Sequence, residues 1–318
     1  MREEPFISVI VATCFRERLL LKCLGSVLEQ SHSDFEVLVV DQAPEPVLEF
    51  TLQKQFNAGS RLRYLHLPSA GAARARNHGM AQAAASVVAF IDDDAVAEPH
   101  WLASLAAALA DPPLPALVAG RILPGWTGTR PSWYPKEREF LLGLYDIGDE
   151  RRPLPEADLP IAANMAGRRQ IILDHGGFEE SLGPNYFRKR KMITGEETIL
   201  ARRIKASGYP ILYEPTAVVK HHVSARKQSR AYFLKRSFWE GVTAARQMQL
   251  LGKTGAGLWL HCRLHGREIC LALARFLLPR YRNWYRDSTP AIRMRALGRI
   301  ADSLGALYAL IISHAGNR

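Results

Sequence analysis

Three consecutive carboxylates, Asp92-Asp93-Asp94, stand directly after the apolar run Val87-Val-Ala-Phe-Ile91. Burial of that run fixes it as a strand and leaves the acids at its tip. Adjacent anions repel one another. A hard divalent cation, Mg2+ or Mn2+, relieves that repulsion while bridging protein oxygens to a diphosphate. Side chains alternate along extended backbone, so Asp92 and Asp94 share a side, one to meet ribose or diphosphate and the other the metal. The same triplet also fits a polar turn leading into a helix after Pro99. Two other apolar runs end in polar residues, one in Thr13 and Cys14, the other in Asp41 and Gln42. No GxGxxG or Walker-type loop follows any of these runs, which argues against a dinucleotide oxidoreductase or a P-loop enzyme.

The elements that must position these residues alternate in type. Strand-like runs at Ile7 to Ala12, Phe35 to Val40, Leu62 to Leu67 and Val87 to Ile91 are separated by helical patterns over Arg18 to Gln30, Val47 to Phe56 and Ala72 to Ala85. A further helix is expected over Trp101 to Leu109. Continuous Val/Ile/Leu strands between helices predict an α/β fold with a mostly parallel central sheet covered by helices on both faces. In such sheets ligands bind beyond the carboxyl ends of the strands, where Thr13, Asp41 and the acidic trio would gather. From Ile122 to Pro160 the pattern dissolves into a Pro-rich segment with Trp126, Trp133 and Tyr134, read as a long loop that shapes a substrate site or packs. Order returns with Ile161 to Ala166, helices near Arg168 to Asp174 and over Glu196 to Ala206, and short strands near Ile211 to Tyr213 and Ala217 to Lys220.

The chain has 318 residues, 47% of them hydrophobic and 23% charged, enough for a large core and against disorder or a disulfide scaffold. Its charge of +11 is unevenly spread. Residues 226 to 318 hold 17 Lys/Arg against 4 Asp/Glu, while residues 1 to 225 hold 25 against 27. This tail interleaves Arg263, Arg267, Arg275, Arg280, Arg282, Arg286, Arg293, Arg295 and Arg299 with apolar and aromatic residues, a mix suited to an anionic membrane surface. Its last helix is expected to start at Thr289-Pro290, with Leu297, Ile300, Leu304, Leu307 and Ile311 as an apolar stripe. That stripe either packs on the main domain or lies on lipid. The longest late stretch without charge, Ser303 to Ser313, is eleven residues, about half of what a bilayer span needs. Cys14, Cys23, Cys262 and Cys270 show neither metal-ligand nor disulfide spacing. With no signal-peptide pattern at the start, the expected location is cytoplasmic, peripheral on the inner face of the cell membrane. The neutral-to-acidic first part and the lack of a nucleic-acid motif speak against nucleic acid as a partner.

Several motifs in order now coincide. Ile7-Ser-Val-Ile-Val-Ala-Thr13, Asp34-Phe-Glu-Val-Leu-Val-Val-Asp41, Ala75-Arg-Asn-His-Gly79 and Phe90-Ile-Asp-Asp-Asp94 are followed by Ala163-Asn-Met-Ala166 and Gly176-Gly-Phe178. Gly195-Glu-Glu-Thr198 with Arg202 to Gly208, and Pro215-Thr-Ala-Val-Val-Lys-His221, complete the set. Together they resemble the family-2 glycosyltransferases of the GT-A fold over roughly residues 5 to 245. The expected organisation is a GT-A domain over 1–225, with a nucleotide-sugar-binding half (1–120) and an acceptor and catalytic half (121–225), then a basic amphipathic helical extension over 226–318.

The resemblance implies inverting transfer of a sugar from a nucleotide-sugar donor to a saccharide or lipid-linked acceptor. Asp41 would contact the base, Asp92 and Asp93 the donor, and Asp94, Asp92 and His221 the metal. Thr13, Arg76, Asn77 and Asn164 would line the donor side. Arg76 is alternatively a surface cation, Asn164 a buried residue bonded to backbone, and His221 structural. The family's acidic pair falls on Glu196 and Glu197, and Glu197 is the first choice for the base. Thr194-Gly-Glu-Glu197 also fits a capping box, which would occupy Glu197 and leave Glu196 free. Many relatives carry Asp here, a second Asp where Gln42 stands, and an aromatic and Asn where Cys14 and Phe15 stand. Gln42 can still bond a pyrimidine, so UDP-sugar is the first expectation. A non-catalytic saccharide- or nucleotide-sugar-binding module is the alternative to an enzyme.

Overall fold

The structure is a computed structural model that describes residues 6–56, 61–68, 71–155, 158–184, 192–252 and 289–315. Cys262, Cys270 and the arginines from Arg263 to Arg286 lie outside the described residues. Close contacts divide the chain into two compact units. One comprises Met1–Gly125, Gly143–Lys189 and Glu196–His222, the other Trp126–Leu142, Arg190–Gly195 and Val223–Arg318.

The first unit begins with strict βαβ alternation: β1 (Ile7–Thr13), α1 (Glu17–Leu28), β2 (Phe35–Asp41), α2 (Leu48–Phe56), β3 (Leu62–His66), α3 (Ala72–Gln82) and β4 (Val87–Asp92). These strands lie side by side in parallel in the order β3, β2, β1, β4. Every residue of β2 is buried, as is all of β1 but Ala12, which is why their sequences are continuous apolar runs. Each such aliphatic side chain adds about 1.5–3 kcal/mol by leaving water. Right-handed crossovers place α1 and α2 on one face and α3 on the other. The order reverses between β1 and β4, and the crevice at that switch point is where the ends of both strands open. Thr13 and Asp92 therefore meet there because of topology, although they are far apart in sequence.

Beyond β4 the sheet becomes antiparallel. The following elements are β5 (Ala95–Ala97), α4 (Trp101–Ala110), β6 (Leu117–Trp126), β7 (Arg152–Pro153), β8 (Asn164–Arg168), α5 (Arg169–Asp174), α6 (Glu196–Ala206) and β9 (Ile211–Val223). β8 pairs with β4 and with β6, and β5 and β7 both pair with β9. The α/β class with a central sheet stands, with its parallel part confined to the first four strands. β6 reaches into the stretch expected to be a loop, and a 3-10 turn spans Lys136–Leu142. β9 is one strand where two were expected. Pro215 removes a ladder donor inside it, and the buried Glu214 carboxylate accepts from Thr216 N at 3.0 Å and from the Thr216 hydroxyl at 2.6 Å.

In the second unit, α7 (Arg230–Leu250) packs against α8 (Pro290–Ala315). Their backbones touch at glycines. A Cβ on Gly241 would lie 1.7 Å from the Asp302 carbonyl oxygen, and one on Gly305 would lie 1.8 Å from that of Phe238. Small residues thus form the seam, including the buried Ala306 and Ala309. The expected Leu/Ile stripe is divided: Leu297, Ile300 and Leu307 are half-buried, whereas Leu304 and Ile311 are exposed, with Tyr308 and Ile312 beside them. Among the described residues, no helix is long and apolar enough to cross a membrane.

Candidate active site

The end of β4 carries the acidic trio, and each acid is held differently. Asp92 Oδ1 accepts from Arg76 Nη2 at 2.7 Å, and this carboxylate is 31% exposed. Asp93 turns inward, accepting from the Thr13 hydroxyl at 2.7 Å and from Arg16 Nη1 at 2.9 Å. Burial pushes the Asp93 carboxyl up to about 6, against the pull of Arg16 and with help from the Asp94 charge. Asp94 Oδ2 accepts from the same Arg16 nitrogen at 3.0 Å, and Asp94 Oδ1 lies 3.0 Å from His221 Nε2. The strand pairing of β5 with β9 sets this last contact, since Ala95 faces His221 and the His222 N–H donates to the Asp94 carbonyl at 2.8 Å.

Asp92, Asp94 and His221 each offer a ligand atom within 4.8 Å of the others. β4 ends at Asp92 and Asp93-Asp94 form the turn into β5, so it is this turn and not strand alternation that sets Asp94 beside Asp92. Among the described residues, His221 Nδ1 is buried without a hydrogen-bond partner, and the ring rests against Gly143. Two carboxylates and an imidazole suit a divalent cation, and the nitrogen suits Mn2+ better than Mg2+. His222, its neighbour, points to the other side of the strand.

A second carboxyl pair lies across α3. α6 starts at Glu196, directly after Gly195 at φ +86°, so Thr194 precedes the cap and no capping box forms. Thr194 Oγ1 instead accepts from Arg236 at 2.8 Å. Glu196 is buried, and its Oε1 accepts from Arg76 Nη1 at 2.5 Å. Arg76 therefore bridges Asp92 and Glu196. Burial works against the Arg76 charge, but Asp92, Glu196 and Glu197 more than offset it and raise its pKa. The Phe178 ring, itself edge-on to Phe90, lies 5.5 Å from the Arg76 guanidinium carbon. Glu197 is half-buried, and burial and the Glu196 charge together hold its carboxyl well above the ordinary glutamate range.

Several expected donor contacts have other occupations. Asn164 is fully buried: its Oδ1 accepts from Trp101 Nε1 at 2.7 Å, and its Nδ2 donates to the carbonyls of Arg121 and Ala217. That is the buried, backbone-bonded alternative. Asn77 clamps the Phe178 backbone through both amide groups, at 2.9 Å each. Thr13 is spent on Asp93. Arg76, 5% exposed, is not a surface cation, and its two terminal nitrogens donate to Glu196 and Asp92. Asp41 is buried beneath Tyr64, whose hydroxyl donates to Asp41 Oδ2 at 2.8 Å, while Ala43 N donates to Oδ1. Gln42 Oε1 accepts from Gly71 N at 2.8 Å.

Two residues that the sequence did not single out belong here. Arg16 stands three positions past Thr13, and Tyr64 is on the same face of β3 as His66. Following each strand end a few residues further, and reading the alternation of β3, would have found them.

Comparison with known proteins bears on this arrangement. Residues 8–176 match the model of Glycosyl transferase family 2. The chain is 26% identical over 248 residues to a glucosyl-dolichyl phosphate glucuronosyltransferase of Haloferax volcanii, covering 77% of this chain and 78% of the relative. It is 34% identical over 187 residues to a pre-mycofactocin glycosyltransferase of Mycobacterium tuberculosis, covering 58% of this chain but 36% of that longer protein. Among solved structures, a mannosyltransferase from Pyrobaculum calidifontis in complex with GDP-Man and Mn2+ superposes with a TM-score of 0.59. The match covers 96% of this chain and 88% of that one at 18% identity, a likeness of fold.

Proposed function

The chain belongs to glycosyl transferase family 2 and is a glycosyltransferase, and from that premise we propose that it is an inverting, metal-dependent enzyme of cell-surface glycan synthesis. It moves a sugar from a nucleotide-sugar, UDP-sugar first, to a hydroxyl of a saccharide or lipid-linked acceptor. The observation that carries this reading is the convergence of Asp92, Asp94 and His221 at the switch point, joined through Arg76 to the Glu196–Glu197 pair.

Asp92, Asp94 and His221 would hold the cation, which supplies positive charge against the diphosphate as it leaves. Arg76 holds the Asp92 and Glu196 carboxylates in place through its two terminal nitrogens. Glu197, the freer of the two glutamates, accepts the proton of the acceptor hydroxyl as its oxygen bonds to the anomeric carbon. The bond from that carbon to the diphosphate breaks, and the nucleoside diphosphate departs. With Glu196 committed to Arg76, the base is assigned to Glu197. Tyr64, half-buried and bonded to Asp41, would meet the base together with it.

The acceptor class is supported by the Haloferax volcanii relative, whose name gives glucosyl-dolichyl phosphate as what it acts on. The donor is tested by thermal shift with Mn2+. Because a ligand that binds only the native state stabilises it by about 2.7 kcal/mol at a hundred times its Kd, UDP-sugars should raise Tm by several degrees. Stabilisation by GDP-sugars alone would replace UDP in this assignment.

The second unit supports an attachment to anionic membrane from the cytoplasmic side. Leu304, Tyr308, Ile311 and Ile312 leave an exposed apolar ridge on α8, in a region of strong positive charge. Co-sedimentation with phosphatidylglycerol vesicles should be lost in Leu304→Glu/Ile311→Glu, with the Tm unchanged. Equal sedimentation of that variant would rule out the ridge.

A further inference from the structure

We propose that Arg16 is the resident counter-cation of the acidic site, displaced from Asp94 when a divalent cation binds and then turned toward the diphosphate of the nucleotide. This rests on the metal-centre reading above and adds to it a residue with a switching role. One nitrogen, Nη1, reaches both Asp93 Oδ1 at 2.9 Å and Asp94 Oδ2 at 3.0 Å. Asp94 is also one of the three residues whose ligand atoms cluster within 4.8 Å. Two cations on one carboxylate repel each other at such separations, so a metal at Asp94 competes with Arg16 directly.

The surroundings allow the exchange. The Arg16 side chain is 31% exposed, whereas Arg76, the other arginine of the site, is 6% exposed and fixed at both ends. Asp93 is buried and remains a pivot when Asp94 is given up. The backbone of Arg16 is held independently: it caps α1, its carbonyl accepting from Leu19 N and Leu20 N at 3.0 Å each. Before it, Phe15 takes φ +57°, a left-handed conformation that costs a bulky residue about 1–2 kcal/mol. That turn brings the chain from the end of β1 back across the acids. A guanidinium released there presents a planar fork of N–H donors, which suits phosphate oxygens.

The exchange predicts effects of opposite sign, which a plain structural clamp would not give. In calorimetry of the full chain, Arg16→Gln should bind Mn2+ without nucleotide about tenfold more tightly than wild type, because no cation must first leave. With Mn2+ saturating, its affinity for UDP should fall about tenfold. Weakening of both, or no change in either, with the Tm retained would overturn the proposal. Should Arg16→Gln fail to fold, the wild-type protein with 15N-labelled arginine gives a second readout. Mg2+ should shift the Arg16 Nε–Hε resonance, assigned by its absence from Arg16→Lys, and a resonance unmoved by Mg2+ that calorimetry shows to be bound would overturn it too. If wild type takes up neither Mn2+ nor Mg2+ even with UDP present, the metal centre itself is wrong and the exchange falls with it.

Discussion

Glu197→Gln is expected to lower sugar transfer by about 10²–10⁴-fold while leaving UDP affinity unchanged. The two adjacent glutamates separate on physical grounds: Glu196 is buried against Arg76 at 2.5 Å, whereas Glu197 is half-buried and holds its proton more tightly than an ordinary glutamate. A stronger base that remains partly accessible is what proton removal from a hydroxyl needs. The wild-type rate should therefore rise with pH through this raised pKa, placing the acid limb above the ordinary glutamate value of about 4.3. Stability moves the other way. The folded state binds a proton that the unfolded state has lost, so wild-type stability falls as pH rises through the same window. Gln removes that penalty, and the variant should melt higher than wild type at neutral pH. Glu196→Gln should differ, because it leaves Arg76 short of a buried partner, a loss of about 3–5 kcal/mol. Initial rates across pH, UDP titration and melting curves check all three. Transfer lost in Glu196→Gln but kept in Glu197→Gln would reverse the assignment.

Asp94→Ala should lower transfer by about 10³-fold or more, since a bound cation contributes several kcal/mol to a developing negative charge. It should also abolish Mn2+ uptake, which calorimetry reads without any turnover. Asp94 bonds Arg16 through one carboxylate oxygen and His221 through the other, so its loss removes an oxygen at the centre of the cluster. Retained Mn2+ uptake in this variant would move the metal elsewhere.

Much of this was legible in the sequence for a clear reason. Parallel strands buried on both faces must be continuous apolar runs, so β1, β2 and β4 announce themselves and their polar ends follow. Asp94 comes near Asp92 by a different route from the expected strand period, because β4 stops at Asp92 and the chain turns at Asp93-Asp94. The antiparallel half was less legible. β6 reads Leu-Val-Ala-Gly-Arg-Ile-Leu-Pro-Gly-Trp, where Gly120 leaves room for Asn164 and Pro124 resembles a loop residue. Local composition carries no trace of a partner more than forty positions away. Similarly, Arg76 looks like an exposed helix charge until α6 arrives, 120 residues later, to bury it. The capping box failed on register: the helix begins at Glu196, one residue past Gly195, so Thr194 is outside it. On α8 the eye follows large apolar residues, whereas backbone contact selects small ones.

The glycine seam between α7 and α8 separates two kinds of evolutionary freedom. At Gly241 or Gly305 a single added methyl collides with main chain, so those positions have almost no neighbours in sequence space. Leu304 and Ile311, exposed on α8, meet no such collision, whereas Tyr308 is tied to α7 by its ring contact with Phe238 at 5.5 Å. Descendants of this protein can therefore retune what the outer side of α8 adheres to without renegotiating how the hairpin is built.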